Sequence, residues 1–199
     1  EKSDDYGIKY KEKGFLSSKT TKITDSSASR VAVGTVISGE EVSIKAGEGF
    51  KIKAGTVAGT NDVNIEAEGD VNILSAENEY SSDYMKDVKK SGLFGSGIGF
   101  TIGTEKRKDT YGSSAVEQAG STIGSLEGNV NIDAGKDAAV QASDVIAGKD
   151  INISGQSVDI TKAENVYVHT EEHEFKRSGL SALLGGRAIE KVAGAVGHL

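Results

Sequence analysis

Residues 42–73 read VSIKAGEGFKIKAGTVAGTNDVNIEAEGDVNI, and this stretch decides the fold. It contains four apolar-polar-apolar triplets: Val42-Ser43-Ile44, Phe50-Lys51-Ile52, Val63-Asn64-Ile65 and Val71-Asn72-Ile73. Their first residues are 8, 13 and 8 positions apart, so the first and third triplets, like the second and fourth, are separated by 21 residues. Two strands therefore recur at set places within a fixed period.

The second half of the chain repeats this arrangement. Its triplets start 8, 13 and 7 positions apart and are Val130-Asn131-Ile132, Ala138-Ala139-Val140, Ile151-Asn152-Ile153 and Val158-Asp159-Ile160. Alternating apolar and polar residues indicate strands with one buried face. Gly, Asp and Asn between the triplets favour tight corners, and short strands at a fixed period are typical of a solenoid.

We therefore predict an all-β fold, a right-handed parallel β-solenoid (β-helix) with coils of about 21 residues. In such a stack Val42 lies over Val63 and Ser43 over Asn64. Asparagines between apolar strand residues, such as Asn131, point outward or form stacked amide ladders. An antiparallel sandwich also has evenly spaced short strands, but it does not require matching residues to recur at one period.

The composition narrows the possible functions. With 26 Gly, no Pro, no Cys, no Trp and 6% aromatic residues, the chain suits a thin core of β-branched residues and excludes disulfides and thiol chemistry. The net charge of −7 argues against binding to nucleic acid or to an anionic membrane surface. The start of the chain does not read as a signal peptide, so we expect any export signal to lie outside it.

A second, longer repeat of about 87 residues links the two halves. Ala76-Glu77-Asn78 matches Ala163-Glu164-Asn165, and Ser91-Gly92-Leu93 matches Ser178-Gly179-Leu180. We interpret residues 1–199 as one β-solenoid fragment, with long units at 14–90 and 91–177 and the start of a further insert at 178–199. Each unit carries an insert, which runs from about residue 77 to 118 in the first.

The insert contains a run of fourteen residues without a charge, SGLFGSGIGFTIGT, at positions 91–104. Alternation with Gly and Thr predicts a strand with one apolar face. This segment is either a hairpin packed against the solenoid or a membrane-engaging insert. The candidate residues for membrane contact are Leu93, Phe94, Ile98, Phe100 and Ile102.

The last residues, 186–199, place Ile189, Val192, Ala193 and Val196 at helical spacing. This pattern predicts a short amphipathic helix that caps the last coil.

One motif could suggest catalysis. His169-Thr170-Glu171-Glu172-His173 fits H-x-x-E-H, the inverted zinc-protease motif, whose chemistry requires a helix. Its flanks, Val166-Tyr167-Val168 and Glu174-Phe175, read as strand instead. The glycines at 95–103 do not spell G-x-G-x-x-G. We therefore expect no enzyme, no cofactor and no catalytic or metal site.

Several phrases carry a family resemblance that covers nearly the whole chain: SGLFGSGIGFTIG (91–103), GSTIGSLEGNVNIDAGKD (120–137), SDVIAGKDINI (143–153) and the second SGL at Ser178. In this order they resemble the haemagglutinin repeats of filamentous haemagglutinin and of contact-dependent growth inhibition exoproteins of the CdiA type. The first unit departs from the pattern at 35–38 and 57–62, which leaves its coil boundaries open.

The resemblance implies a secreted protein displayed on the bacterial cell surface, exported by an outer-membrane transporter of a two-partner system. It further implies a structural and delivery segment that helps carry a C-terminal toxin across the target cell's outer membrane. Its partners would be the transporter, the target-cell outer membrane or a receptor, and neighbouring coils of the full-length protein. The alternative is an adhesin rod segment that binds host cells or matrix.

Overall fold

The computed structural model describes residues 1–96, 99–183 and 196–198. These residues form eighteen strands and no helix, so none of them belongs to a helix able to cross a membrane. The strands are β1 (Lys2–Lys13), β2 (Ser17–Arg30), β3 (Val36–Gly39), β4 (Val42–Ala46), β5 (Phe50–Lys53), β6 (Thr56–Gly59), β7 (Val63–Ala67), β8 (Val71–Leu74), β9 (Ala76–Ser96), β10 (Gly99–Ala119), β11 (Thr122–Ser125), β12 (Val130–Ala134), β13 (Asp137–Gln141), β14 (Asp144–Ile146), β15 (Ile151–Ser154), β16 (Ser157–Thr161), β17 (Val166–Leu183) and β18 (Val196–His198).

The chain divides into two compact units. Unit 1 comprises Glu1–Ser29, Tyr80–Ser114 and Tyr167–Leu199, and unit 2 comprises Arg30–Glu79 and Ala115–Val166. Unit 1 contains an antiparallel sheet and unit 2 contains stacked parallel sheets, as the strand pairings below establish.

Unit 2 consists of three parallel four-stranded sheets with the orders β14-β11-β6-β3, β15-β12-β7-β4 and β16-β13-β8-β5. Val42 pairs with Val63 and Ser43 with Asn64, which confirms the predicted register. All eight predicted triplets are strands, and the parallel stacking agrees with a β-helix. Between β7 and β12 the pairing of Val63 with Val130 spans 67 residues, because β9 and β10 intervene in sequence.

The core of unit 2 is a set of apolar ladders that run through the stack. Val57 and Ile123 are paired and fully buried, as are Val63 and Val130. Each coil offers only one to three apolar residues per strand, so its core is completed by the coils on either side. The buried apolar residues of the two middle coils are Val57, Val63, Ile65, Ala67, Val71, Ile73, Ile123, Val130, Ile132, Ala134, Ala138 and Val140.

Each coil has a third strand that the triplet pattern did not identify. β6 (TVAG) and β11 (TIGS) carry one fully buried apolar residue each, at Val57 and Ile123. A strand with a single apolar residue and a glycine produces no apolar-polar-apolar signal, so the sequence showed two strands per coil where the structure has three.

An amide ladder runs along one side of the stack. The Asn131 side chain donates from Nδ2 to Asn64 Oδ1 at 2.8 Å and accepts from Asn152 Nδ2 at 2.9 Å. The predicted ladder therefore forms through Asn64, Asn131 and Asn152. Asn72 pairs in register with Lys51 and Ala139 and has no asparagine above or below it.

Unit 1 contains one six-stranded sheet in the order β1-β2-β9-β10-β17-β18. β1 and β2 form an antiparallel hairpin, with Lys2 opposite Ser29 and Lys13 opposite Ser18. The insert predicted at 77–118 consists of β9 and β10, which are neighbours in this sheet.

Equivalent residues of the 87-residue repeat make equivalent hydrogen bonds in unit 2. Asn78 Oδ1 accepts a hydrogen bond from the backbone N–H of Ala32, and Asn165 Oδ1, 87 residues later, accepts one from Gln118 N–H, both at 2.8 Å. The boundaries of the long units at 14–90 and 91–177 stay predictions.

The helix predicted at 186–199 falls mainly outside the described residues. Its described part, Val196–His198, is a strand that pairs antiparallel with β17.

Replacing Ile73 by Ala will lower the free energy of unfolding by about 3 kcal/mol, because it leaves a cavity in a fully buried ladder. Ile160→Ala is the matched control, since Ile160 occupies the same ladder through Val140 but is 71% exposed. Its cost will stay below about 1 kcal/mol. Urea unfolding followed by circular dichroism measures both, and equal costs would contradict the ladder core.

Replacing Asn131 by Ala will cost about 1–2 kcal/mol of unfolding free energy, because two ladder hydrogen bonds are lost, one to the half-buried Asn64 and one to the exposed Asn152. Asn72→Ala removes an asparagine outside the ladder and will cost less. The same unfolding experiment compares them, and a larger loss for Asn72→Ala would argue against the ladder.

Candidate interaction surface

The charge-free run lies at the junction of β9 and β10, where the structure places four of the five predicted membrane-contact residues. Leu93 and Phe94 are near the end of β9, and Phe100 and Ile102 are near the start of β10. Ile98 lies outside the described residues.

Contacts across neighbouring strands fix the register of this sheet. Between β2 and β9, Leu93 N–H donates to Leu16 O at 3.3 Å. Between β9 and β10, Lys90 faces Glu105 and Tyr84 contacts Tyr111. For two neighbouring antiparallel strands, the numbers of facing residues add up to a constant total. Leu16 with Leu93 and Ser18 with Ser91 share one total, and Lys90 with Glu105 and Tyr84 with Tyr111 share another.

The register of β10 against β17 follows in the same way. Thr101 and Ser181 are joined through their hydroxyl oxygens at 2.8 Å, and Thr170 Oγ1 donates to Gly112 O at 3.3 Å. Applied along the strands, the three registers place Leu93 opposite both Leu16 and Ile102, and Ile102 opposite Leu180.

These four residues form what we call the apolar row: Leu16, Leu93, Ile102 and Leu180. Since side chains alternate between the faces of a sheet and directly paired residues share a face, Leu93, Ile102 and Leu180 project from the same face. Leu16, which immediately precedes β2, lies beside Leu93 at the end of this row. The exposed fractions of the four residues, in sequence order, are 63%, 44%, 58% and 57%. Single exposed leucines are ordinary, but a continuous apolar row across three strands and the residue before β2 marks an interaction surface.

The apolar row is followed on the same face by two further rows. The next is a hydroxyl row of Ser18, Ser91, Thr104 and Ser178, in which the Ser18 and Ser91 hydroxyls lie 2.8 Å apart. The one after it is a lysine row of Lys89, Lys106 and Lys176. Lys106 lies 3.6 Å from Asp87, and Lys176 pairs with Glu174. The face thus changes from apolar to hydroxyl to cationic within a few residues.

The residues of the apolar row in β9, β10 and β17 each have a glycine as sequence neighbour. These glycines lie so close to the neighbouring strand that no side chain would fit. A Cβ on Gly92, whose φ is +142°, would lie 2.4 Å from Leu16 O. A Cβ on Gly103 would lie 2.1 Å from Ser178 O, and one on Gly179 2.5 Å from Ile102 O. The SGL repeats therefore combine a glycine that allows close strand approach with a leucine that projects from the opposite face.

The two phenylalanines differ from the apolar row. Phe94 projects from the opposite face, where the Arg177 guanidinium lies 5.8 Å from its ring centre, and it is half-buried. Phe100 is also half-buried, and Thr101 is buried. The strand predicted for this segment is present as the start of β10, and its apolar residue Ile102 is exposed to solvent.

Sequence reasoning missed two members of the row, Leu16 and Leu180. The signal was available, because Leu180 belongs to the second SGL, and Leu16 ends Gly14-Phe15-Leu16, which resembles a shortened form of the start of the charge-free run at Ser91. What the sequence could not supply was the register that aligns them with Leu93 and Ile102.

The H-x-x-E-H motif lies on strand β17. His169 and His173 are therefore about 13 Å apart along the strand, unlike the adjacent histidines of a helical zinc site. Within the described residues no group of three or more potential ligands could hold a metal.

His173 instead bridges two carboxylates. Its Nδ1 lies 2.7 Å from Asp109 Oδ1 and its Nε2 lies 2.7 Å from Glu171 Oε1, while Arg107 donates to Asp109 and Tyr111 packs edge-on against the ring. The hydrogen bond to Asp109, and then the one to Glu171, raises the pKa of His173 above 6.5. The same contact with His173 lowers the pKa of Asp109.

This arrangement predicts a pH dependence of stability. Because the pKa of His173 is higher in the folded than in the unfolded chain, its contribution is complete below about pH 6.5 and is lost as pH rises through the raised value. Subtracting the unfolding free energy of His173→Gln from that of the wild type, across pH 5 to 9, isolates this term.

The control is His169→Gln on the same strand, which will keep the wild-type pH profile. If His173→Gln and the wild type show parallel profiles above pH 6.5, the bridge between β10 and β17 is not formed in solution.

Comparison with known proteins places the chain in a family. The hemagglutinin repeat family matches residues 14–172 and 102–196. The chain is 41% identical over 192 residues to a protein named tRNA nuclease CdiA from Escherichia coli O6:K15:H31, with 94% of the chain and 6% of that protein covered. It is 39% identical over 186 residues to the 16S rRNA endonuclease CdiA of Enterobacter cloacae subsp. cloacae, covering 92% of the chain and 6% of that protein.

A further relative, tRNA nuclease CdiA-2 of Burkholderia pseudomallei, is 33% identical over 179 residues, covering 88% of the chain and 6% of that protein. The chain thus spans a small fraction of the length of these relatives. No solved structure matches. The matched family and the order of the repeat phrases together show that the chain belongs to the hemagglutinin repeat family, as a repeat region of the CdiA type.

Proposed function

We propose that this chain is a structural and delivery segment of a secreted, surface-displayed exoprotein for contact-dependent growth inhibition. In this role its apolar row contacts the target cell's outer membrane while the protein helps carry a C-terminal toxin across it. The observation that carries the proposal is the apolar row of four exposed side chains along the unit 1 sheet.

The order of rows on this face supports contact with a lipid surface. Alternate residues along a strand are about 6.6 Å apart, so the lysine row lies about 13 Å from the apolar row. Apolar side chains at the acyl boundary with cationic side chains at the level of the phosphates is the arrangement of interfacial membrane binders. A lysine near an anionic surface adds about 1 kcal/mol, and since Lys106 and Lys176 are paired with Asp87 and Glu174, Lys89 contributes most of this attraction.

Delivery is favoured over adhesion by the names of the relatives, which are nuclease toxins. Under this proposal the chain is not itself an enzyme, because the family match falls on repeats. Its partners are an outer-membrane transporter during export and the target outer membrane or a receptor on it, and its location is the surface of the producing cell.

The parallel stack of unit 2 has open ends that we propose are covered by neighbouring coils of the full-length protein. In the last coil Ile151, Val158 and Ile160 are exposed, although their ladder partners Val130, Ala138 and Val140 are buried. The relatives are far longer than this chain, which supplies sequence for such coils. We propose that these coils continue right-handed at about 21 residues each.

Vesicle binding tests the role of the apolar row. The 199-residue chain will float with phosphatidylethanolamine–phosphatidylglycerol vesicles, and Leu93→Asp combined with Ile102→Asp will weaken that binding about tenfold or more, since two exposed apolar contacts are replaced by charges. Ile102 is a better probe than Phe100, because Phe100 is half-buried and its replacement would also disturb packing.

Leu126→Asp is the matched control, since Leu126 is a single exposed leucine outside the row. It will bind vesicles like the wild type apart from the added charge. Absence of wild-type binding, or equal losses in the row variant and in Leu126→Asp, would refute membrane contact through this row.

A further inference from the structure

The opposite face of the unit 1 sheet contains a groove of about 460 Å³. Its floor is formed by Thr21 and Val88, which are opposite each other on β2 and β9. Tyr10 closes one end and Phe175 the other, with Arg107 beside Val88. Thr21 and Val88 have smaller side chains than Tyr10 and Arg107 on either side of them, which leaves the groove between these larger residues.

Cationic side chains dominate the walls of the groove. Lys19, Lys86 and Lys90 line it together with Arg107, against the carboxylates of Glu105 and Asp109. Lys19 is paired with Glu12 at 3.0 Å. The contact of Lys90 with Glu105, at 3.9 Å, is too long for a hydrogen bond.

Two of these cationic side chains, Lys86 and Arg107, are still able to bind an anion. Asp109 is already engaged by Arg107 Nε and by His173, and no carboxylate of the described residues lies within 4.0 Å of Lys86. The contact of Arg107 with Asp109 is made by Nε, so the two terminal nitrogens of the guanidinium remain as donors. Guanidinium and ammonium groups that converge in this way are suited to a phosphate.

Thr21 provides an independent sign of a polar ligand. Its side chain is 1% exposed and its Oγ1 has no hydrogen-bond partner among the described residues. Buried hydroxyls are nearly always hydrogen-bonded, so an unpaired one on the floor of a cationic groove marks a position for a ligand oxygen.

We propose that this groove binds a phosphorylated saccharide. Lys86 and Arg107 hold the phosphate, the Thr21 hydroxyl donates to a ligand oxygen, and Glu105 accepts from a sugar hydroxyl. The ring of Tyr10, which lies beside Thr21, provides the apolar wall on which the C–H face of the sugar packs. Phe175 closes the far end of the groove, four strands away and beyond Arg107. The site is separate from the apolar row and does not depend on the function proposed above.

Isothermal titration with glucose 6-phosphate, glucose and inorganic phosphate tests the site on the 199-residue chain. Glucose 6-phosphate will bind with a Kd on the order of 1 mM or tighter, and more tightly than either of the other two probes. Lys86→Met will weaken binding about tenfold through loss of the charge, and Thr21→Val roughly fivefold through loss of the hydroxyl.

Lys89→Met is the matched control, because Lys89 lies on the same strand but projects from the opposite face, and it will leave binding unchanged. Thermal melting verifies that each variant is folded. No binding of glucose 6-phosphate up to about 10 mM, or equal losses in Lys86→Met and Lys89→Met, would overturn the proposal.

The saccharide could be free in solution or part of a glycolipid headgroup, and a competition experiment separates the two. Vesicles containing lipid A, a phosphorylated glucosamine disaccharide, are mixed with the Leu93→Asp, Ile102→Asp variant, whose apolar row no longer holds the chain on the vesicle, with and without glucose 6-phosphate. Release of the chain by glucose 6-phosphate identifies a headgroup as a ligand of the groove, whereas binding of the soluble sugar without such release identifies a free one. Because the titration uses no membrane, its result is independent of whether the apolar row binds vesicles.

Discussion

The pairing of each coil with the coil above and below is the constraint on which the rest of the structure depends. No coil of unit 2 carries enough apolar surface to form a core alone, and Val63 is fully buried because Val42 and Val130 lie on either side of it. The register must hold at every step, since a slip by one residue would turn the apolar side of a strand outward. The amide ladder through Asn131 adds a polar contact that fits only this register.

The same constraint explains how a long insert is tolerated. β8 and β13 pair in register although β9 and β10 lie between them in sequence, because the insert leaves and re-enters the stack at a corner and displaces no ladder residue. Loop closure costs little more for a long connection than for a moderate one. An insert placed at a corner can therefore be long without disturbing the ladders, and here it supplies β9 and β10 to the sheet that carries both candidate surfaces.

How much the sequence could predict depended on whether a feature repeats along the chain or arises between strands. The triplets around Val42 and Val130 gave the parallel register, because apolar alternation and a fixed period are both properties of one chain. The strands that contain Val57 and Ile123 were not predicted, because a strand with one buried apolar residue shows no alternation of apolar and polar residues. Leu16 and Leu180 were missed as well, since they join the apolar row only through pairing across β2, β9, β10 and β17. The net charge of −7 was equally uninformative about Lys89, Lys106 and Lys176, because an average over the chain does not show which residues share a face.

The two faces of the unit 1 sheet are kept distinct by the two-residue period of a strand. Lys89 belongs to the lysine row and Lys90 to the wall of the groove, although they are adjacent in sequence. A slip of β9 by one residue would exchange them and would destroy both surfaces together. The register is secured by features at the same end of the sheet: Gly92 and Gly103 fit against neighbouring backbone only where no Cβ is present, and the Ser18–Ser91 hydroxyl pair fixes β9 against β2. The glycines of the SGL repeats thus do more than permit a turn, because they determine which side chains of the insert face each side.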